Sequence, residues 1–328
     1  MKISQHKTRP TAVSDWFAKR TYGHDQFADI EALTARKREL GVTLTTVLPA
    51  REVAGTIGPI VDEIRTLNEV APLVDQIAVV DAGSADGTAN VAAEHGAEVY
   101  AEDELVPQFG PAIGKGDAMW RALSIARGDL VAYLDSDTSD FGRHFVYGLL
   151  GPLLFDRQVR FVKATYSRPF KTASGELIDD AGRVTELTAK PLFNSFYPEL
   201  CGFGQPLSGE LIGSRELLSS IPFCTGYAVE TAMMIDVLRA VGLDAMAQVE
   251  LGARHNRSQP LFALGSMAYA VVRAVLMRAD SEGRPHPLTA DPDYYLHAFC
   301  PDDGVRLEER LVRIVERPPM QQFSDGTL

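Results

Sequence analysis

Cysteine is sparse in this chain. Three of its 328 residues are Cys (Cys201, Cys224 and Cys300), and no C-x-x-C pair occurs. A zinc ribbon or a thioredoxin-type motif is therefore not expected, and an odd, scattered count fits a reducing cytoplasm. Basic charge is in deficit: 32 Lys and Arg stand against 44 Asp and Glu, a formal net charge of −12. Nucleic-acid binding is dominated by Lys/Arg neutralisation of phosphates, so a nucleic-acid partner is not expected. A local basic pocket for a small anion stays open. Long apolar runs are missing too. The longest, Leu261 to Met277, is interrupted by Gly265, Ser266 and Arg273 and falls short of the ~20 residues a membrane span needs. It reads as a buried or amphipathic helix, and no membrane partner is expected. Met1 to Lys7 is followed by no apolar stretch, so no signal peptide is expected. Neither an internal repeat nor a low-complexity tract is visible.

What remains is ordinary globular composition, 45% hydrophobic and 23% charged, which excludes a disordered chain, a collagen and a coiled-coil rod. The opening stretch to about Gly41 is polar with scattered aromatics, and Ile30 to Lys37 reads as a helix closed by Gly41. Thr43 to Leu48 is a β-branched run stopped by Pro49, hence a strand. Ile57, Ile60, Val61, Ile64 and Leu67 follow at helical spacing. Gln76 to Val80 is a second strand. Ala89 to His95 is a second helix with Thr88 as its N-cap, and Glu98 to Tyr100 is a third strand. Gly116 to Ala126 is a third helix and Leu130 to Leu134 a fourth strand. Alternation of this kind predicts βαβ units and a mostly parallel sheet flanked by helices. Beyond Gly151 the pattern changes: a strand at Arg160 to Tyr166, a Gly/Asp-rich loop from Thr172 to Arg183, a short helix from Thr185 to Lys190 before Pro191, and a longer helix at Val229 to Val241 with one apolar face. Arg278 to Pro292, rich in Pro, Asp and Arg, reads as a linker to a C-terminal tail.

Three features sit at the carboxyl ends of predicted strands, where open α/β sheets bind ligands. They are Pro49-Ala50-Arg51-Glu52, then Asp81-Ala82-Gly83-Ser84 continuing to Thr88, then Asp135-Ser136-Asp137. In an extended D-x-D both carboxylates point to one side, and two adjacent carboxylates repel unless a cation sits between or beside them. Mg²⁺ or Mn²⁺ suits such a site, taking one or two carboxylates plus substrate phosphates. Asp81 is placed to accept hydrogen bonds from a nucleobase or ribose, and Gly83 lets a ligand approach the backbone. Ile113-Gly114-Lys115-Gly116 opens a predicted helix; flexible backbone, a lysine and a helix N-terminus together suit a diphosphate. The dinucleotide fingerprint G-x-G-x-x-G is absent after the first strand, and the P-loop spacing is missing.

The order Val47-Leu48-Pro49-Ala50, Asp81 to Thr88, Gly114-Lys115-Gly116 and Tyr133 to Asp137 resembles the nucleotide-sugar glycosyltransferases of the GT-A fold. More narrowly it resembles the actinobacterial glucosyl-3-phosphoglycerate synthases and the related mannosyl-3-phosphoglycerate synthases. Gly182 to Leu187, Gln205 to Glu210, Gly226 to Glu230, Gly242 to Ala245 and Arg317-Pro318-Pro319-Met320 carry that narrower match. The resemblance implies an α/β GT-A architecture: a helical extension over 1–40, a nucleotide-sugar-binding part over 41–160, an acceptor-binding part over 161–280 and a tail over 281–328. It implies a retaining transfer of glucose from an NDP-glucose, UDP-glucose first, to the 2-hydroxyl of 3-phosphoglycerate. The variant using GDP-mannose is the alternative. It also implies a homodimer and a bound Mg²⁺ or Mn²⁺.

By matching motifs, Asp137 is the metal-binding and catalytic carboxylate, and Asp135 with Ser136 contacts the nucleotide together with Pro49, Ala50, Glu52, Asp81, Ala82 and Gly83. Lys115 lies on the diphosphate; Gly182, Arg183 and Thr185 hold the acceptor; Leu207 and Glu230 line the sugar site. Relatives carry Pro-Ala-Leu-Asn-Glu-Glu after the first strand, whereas this chain has Pro49-Ala50-Arg51-Glu52-Val53-Ala54, so guanine stands open beside uracil. Relatives carry Arg-Ala-His-Arg-Asn-Arg where this chain has Arg254-His255-Asn256-Arg257-Ser258. Without a gap the metal-binding His position falls on Asn256. The Asn position then falls on Ser258; a one-residue slip lets His255 reach the metal, and Asn256 is kept as an acceptor-binding candidate. A sugar nucleotidyltransferase and a non-catalytic nucleotide-sugar-binding regulator are the competing readings. The first places its lysine-rich loop directly after strand one, which this chain does not.

Overall fold

The structure is a computed structural model describing residues 9–167, 169–171, 177–179, 182–254, 261–281, 294–299, 306–311 and 313–323, and every structural statement below concerns these. One eight-stranded sheet forms its centre, in the order β1 (Thr21–Gly23), β11 (Met246–Ala253), β6 (Phe161–Ser167), β9 (Leu211–Ser214), β5 (Leu130–Tyr133), β2 (Leu44–Ala50), β3 (Gln76–Asp81) and β4 (Glu98–Ala101). Every neighbouring pair is parallel except those made by β9, which runs antiparallel to both β5 and β6. Three two-stranded ladders are separate: β7 (Pro169–Lys171) with β8 (Leu177–Asp179), β10 (Phe223–Cys224) with β14 (Glu316–Arg317), and β12 (Tyr294–Phe299) with β13 (Arg306–Leu311). The sheet draws β1 from the first 40 residues and β6, β9 and β11 from the stretch beyond 160.

The strands are apolar almost throughout because helices cover both faces. All six residues of β3 are buried. Alternation sorts them: Leu44 and Leu48 of β2 join one core with α3 (Ala54–Val70) and α6 (His144–Phe155). Val47 joins the other core, with α5 (Gly114–Ala122) and α9 (Val229–Val241). The remaining helices are α1 (Arg9–Arg20), α2 (Ile30–Leu40), α4 (Thr88–Glu94), α7 (Lys190–Phe196), α8 (Arg215–Ser220) and α10 (Leu261–Ser281). Helix α2 begins on Asp29, whose carboxylate accepts from the Ala32 N–H, and ends on Gly41 at φ 66°, as the sequence predicts.

Five local expectations are corrected. Thr88 is the first residue of α4 rather than its cap; its N–H and hydroxyl both donate to the carboxylate of Asp86. The short helix at Thr185 does not stop before Pro191. It continues into α7, because proline in a first turn lacks only an N–H that has no helical partner. The stretch read as a loop contains β8. The apolar run at Leu261 extends to Ser281, making α10 long and apolar enough by length and composition to cross a membrane. Yet α10 packs against α9, and its Arg278 pairs with Asp236 at 2.6 Å and Glu316 at 2.5 Å. Arg278 to Ser281, expected in a linker, belong to this helix, and residues 282–292 lie outside the described ones.

Gly151 in α6 faces the ring of Phe27, and a Cβ there would lie 2.1 Å from the ring's Cγ. Phe27 is buried in the larger core, so it has little room to retreat. Gly151→Ala is expected to lose about 1–3 kcal/mol of stability, measured as a lower urea midpoint against the parent protein.

Candidate active site

The carboxyl ends of β2, β3 and β5 form one edge of the sheet, and the segment entering β9 descends onto the same edge because β9 runs the other way. Asp135 follows β5. Its Oδ1 accepts from Lys115 Nζ at 2.5 Å and its Oδ2 from Arg254 Nη2 at 3.0 Å. Burial favours the neutral acid, but Lys115 and Arg254 outweigh it and hold the Asp135 carboxyl well below the usual range. Lys115, second residue of α5, also faces Glu230 Oε1 at 3.1 Å, and these two carboxylates raise its pKa against the effect of burial. Glu230 is itself buried in the first turn of α9.

Arg254 follows β11 and is 1% exposed. Its Nη1 donates to Glu210 and to the Tyr166 hydroxyl, the latter at 3.0 Å, while Nη2 reaches both Asp135 and, at 3.5 Å, Asp137. One guanidinium nitrogen thus reaches both aspartates of the D-x-D. The two carboxylates differ sharply in access: the side chain of Asp135 is 18% exposed and that of Asp137 is 68% exposed. Buried charges persist only when paired and hydrogen-bonded; Asp135 meets that condition, while Asp137 stays exposed with one long contact to Arg254. Lys163, mid-strand in β6 and fully buried, donates to the Ser208 carbonyl; burial lowers its pKa to about 8. Ser208 Oγ donates to the Ala164 carbonyl at 2.9 Å. These bonds press the 205–210 segment against β6.

Ser136 Oγ donates to the Pro49 carbonyl at 2.6 Å, joining the ends of β5 and β2. Ala82 N donates to the Ala50 carbonyl at 2.9 Å, joining β3 to β2. Glu52 adopts φ 53°; its N–H donates to Ser84 Oγ at 2.9 Å and its carboxylate accepts from Ala85 N at 2.7 Å. Asp81 Oδ2 accepts from Ser84 N at 3.0 Å, and Oδ1 is buried with no partner. Gly83 takes φ 71°. The structure therefore brings Pro49, Ala50, Glu52, Asp81, Ala82, Gly83, Lys115, Asp135, Ser136, Asp137 and Glu230 to one edge. Gly182 at φ 56° and Arg183 lead into the helical turn of Thr185, which is 3% exposed. Leu207 packs against the cluster formed by Val184, Ala189 and Val271, which joins the 205–210 segment to that turn and to α10. His255 and Asn256 lie outside the described residues.

Arg254, Glu210, Tyr166 and Lys163 are site-building residues to which sequence reasoning gives no role. Lys163 leaves a trace, a lone charge inside the apolar run Phe161-Val162-Lys163-Ala164. Glu210 and Arg254 stand in the motif segments Gln205 to Glu210 and Arg254 to Ser258, but nothing in the sequence pairs them, since their contact is non-local.

A largely parallel sheet with this charged edge suits a hexosyltransferase of the GT-A fold, the class that the chain's likenesses to known proteins show. Residues 45–175 match glycosyl transferase family 2. A glucosyl-3-phosphoglycerate synthase from Petrotoga mobilis is 38% identical over 94% of this chain and 95% of its own length. The crystal structure of mannosyl-3-phosphoglycerate synthase from Rubrobacter xylanophilus aligns with TM-score 0.89 and 58% identity, covering 94% of this chain and 97% of that one. The glucosyl-3-phosphoglycerate synthase of Mycobacterium tuberculosis, solved with Mn²⁺, UDP and glucosyl-3-phosphoglycerate, aligns with TM-score 0.80 and 38% identity over 92% and 99% of the two chains. The chain belongs to the glucosyl-3-phosphoglycerate synthase and mannosyl-3-phosphoglycerate synthase family of glycosyltransferases.

Gly209 tests how tightly the edge is assembled. A Cβ on it would collide with Asp135 Oδ1 and Lys115 Nζ. Gly209→Ala is expected to force that ion pair apart and cut kcat/KM at least tenfold, about 1.4 kcal/mol in the transition state, with the circular-dichroism spectrum unchanged.

Proposed function

We propose that the protein transfers glucose from UDP-glucose to the 2-hydroxyl of 3-phosphoglycerate with retention of anomeric configuration. The observation that carries this reading is the asymmetric aspartate pair, Asp135 locked between Lys115 and Arg254 with Asp137 open beside it. The M. tuberculosis relative, whose complex contains UDP and glucosyl-3-phosphoglycerate, supports the donor and acceptor. A second donor, GDP-mannose, is favoured by the higher identity, 58%, to the mannosyl enzyme of R. xylanophilus.

Among the described residues no three His, Cys, Asp or Glu side chains converge as a metal cage. Mg²⁺ does not need one, since it binds through one or two carboxylates, waters and substrate phosphates. The exposed Asp137 carboxylate, with one long contact to Arg254, fits that requirement. An ion held there acts as a Lewis acid on the departing diphosphate. The chain's own groups do the rest. Lys115 presents its ammonium to the diphosphate as a point charge, and Arg183 offers the forked guanidinium that suits phosphate or carboxylate. Both offset the repulsion that an acidic protein exerts on a polyanionic acceptor. Glu230, anchored by Lys115, orients sugar hydroxyls. The bond from the anomeric carbon to the phosphate oxygen breaks through an oxocarbenium-like transition state. The acceptor oxygen bonds to the same face, and its proton passes to the leaving phosphate.

Release of nucleoside diphosphate is to be measured with Mg²⁺, 3-phosphoglycerate and, in turn, UDP-glucose, GDP-glucose and GDP-mannose. UDP-glucose is expected to turn over fastest; turnover confined to GDP-mannose selects the second reading, and release from none defeats both. Asp137→Ala is expected to abolish turnover with the fold intact. Arg183→Ala is expected to raise the acceptor KM about tenfold or more, the effect of losing one charge-assisted contact, with the donor KM unchanged.

We also propose a homodimer. The apolar window of α10 is only 28% buried within the chain, and Leu261 and Phe262 at its start are 67% and 48% exposed. Such a face suits a second copy. Light scattering is expected to give twice the chain mass of 35.8 kDa.

A further inference from the structure

Lys115 is at the site because the first turn of α5 is fixed, and the residue that fixes it comes from the other end of the chain. Asp117 is fully buried, and its Oδ2 accepts from the Ile113 N–H at 2.9 Å, bracing the turn that holds Gly114, Lys115 and Gly116. Arg317 reaches Asp117 as a fork, Nε to Oδ1 at 3.0 Å and Nη2 to Oδ2 at 2.8 Å. Arg121 also approaches Asp117, with Nε 3.4 Å from Oδ1 and Nη2 3.5 Å from Oδ2, but both contacts are long and its terminal nitrogens donate at shorter range to the carbonyls of Leu105 and Gly110. Arg317 is therefore the closer bidentate partner, with Arg121 as a weaker second contact. Its guanidinium lies against the rings of Phe109 and Trp120, 5.6 and 5.7 Å from their centroids.

The segment bearing Arg317 is itself fastened at the same place. Strand β14 pairs with β10. Thr225 N donates to the Val315 carbonyl at 3.0 Å, and Trp120 Nε1 to the Pro318 carbonyl at 2.8 Å. Immediately after β10, Gly226 N donates to the Ile113 carbonyl at 3.2 Å. A Cβ on Gly116 would strike the Cys224 carbonyl. The start of α5 is thus held from behind by Asp117–Arg317 and from the side by 224–226, which β14 braces.

We propose that Arg317 is a positioning residue for the donor site: through Asp117 it sets the turn that aims Lys115 at the diphosphate. This rests on the assignment of Lys115 to the diphosphate made above. It accounts for the Arg317-Pro318-Pro319-Met320 motif, which is distant in sequence from every other site segment.

The test varies donor and acceptor separately in steady-state kinetics and measures UDP and GDP binding by calorimetry, for the parent protein, Arg317→Gln and Arg317→Lys. Arg317→Gln is expected to raise the donor KM and the nucleoside diphosphate Kd about tenfold, leaving the acceptor KM unchanged. Arg317→Lys, which keeps the charge and loses the fork, is expected to fall between. Unchanged donor constants, or donor and acceptor constants rising together, overturn the proposal. Should Arg317→Gln fail to fold, Asp117→Asn decides by the same criterion, since it retains an acceptor for the Ile113 N–H while weakening the fork. A parent protein inactive with every donor defeats the functional reading instead, while active parent and indifferent variants defeat only this proposal.

Discussion

Everything at the sheet edge turns on one carboxylate held by two cations. Asp135 is gripped by Lys115 and Arg254, and each of those cations is shared with a further buried acid, Glu230 and Glu210. Removing either cation leaves a buried carboxylate, Glu230 or Glu210, without its partner in a poorly solvated place. The arrangement therefore holds its dipoles and charges fixed before substrate arrives, which is the property that makes electrostatic stabilisation effective in catalysis. Asp137 stands at the margin of the network with one long contact, and so keeps the freedom its neighbour lacks.

The direction of β9 supplies the other half of the design. Running antiparallel between β5 and β6, it brings Gln205 to Glu210 down onto the edge where the parallel strands end. The segment arrives close enough that only glycine fits at 209. Lys163 and Ser208 secure it to β6, and Leu207 links it to the turn at Val184 to Ala189. A single reversed strand thus couples the nucleotide half of the edge to the segment that carries Arg183 and Thr185.

The framework was readable in the residues themselves. The apolar runs at Leu44 and Gln76, the helical face from Val229 to Val241 and the αL glycine at 41 obey local rules of periodicity and capping, and the motifs at strand ends follow from topology. Two local misreadings have local causes: α4 begins one residue earlier, with Gly87 at its N-cap and Thr88 bonded to Asp86, and Pro191 sits where a helix tolerates it. The charge network was not readable, because Arg254 meets Glu210 and Asp135 across strands that are far apart in sequence. No spacing rule encodes a contact whose partners are chosen by the fold.

The ion pair of Asp117 with Arg317 spans 200 positions, and β1 near the start pairs with β11 beyond residue 245. Contacts of such long range close late, after shorter loops have formed. During translation the segment around Lys115 emerges long before its brace does. A nascent chain that has completed β2 to β5 still lacks the clasp on α5, so on the proposal made above the donor site is completed only after residue 317 has left the ribosome.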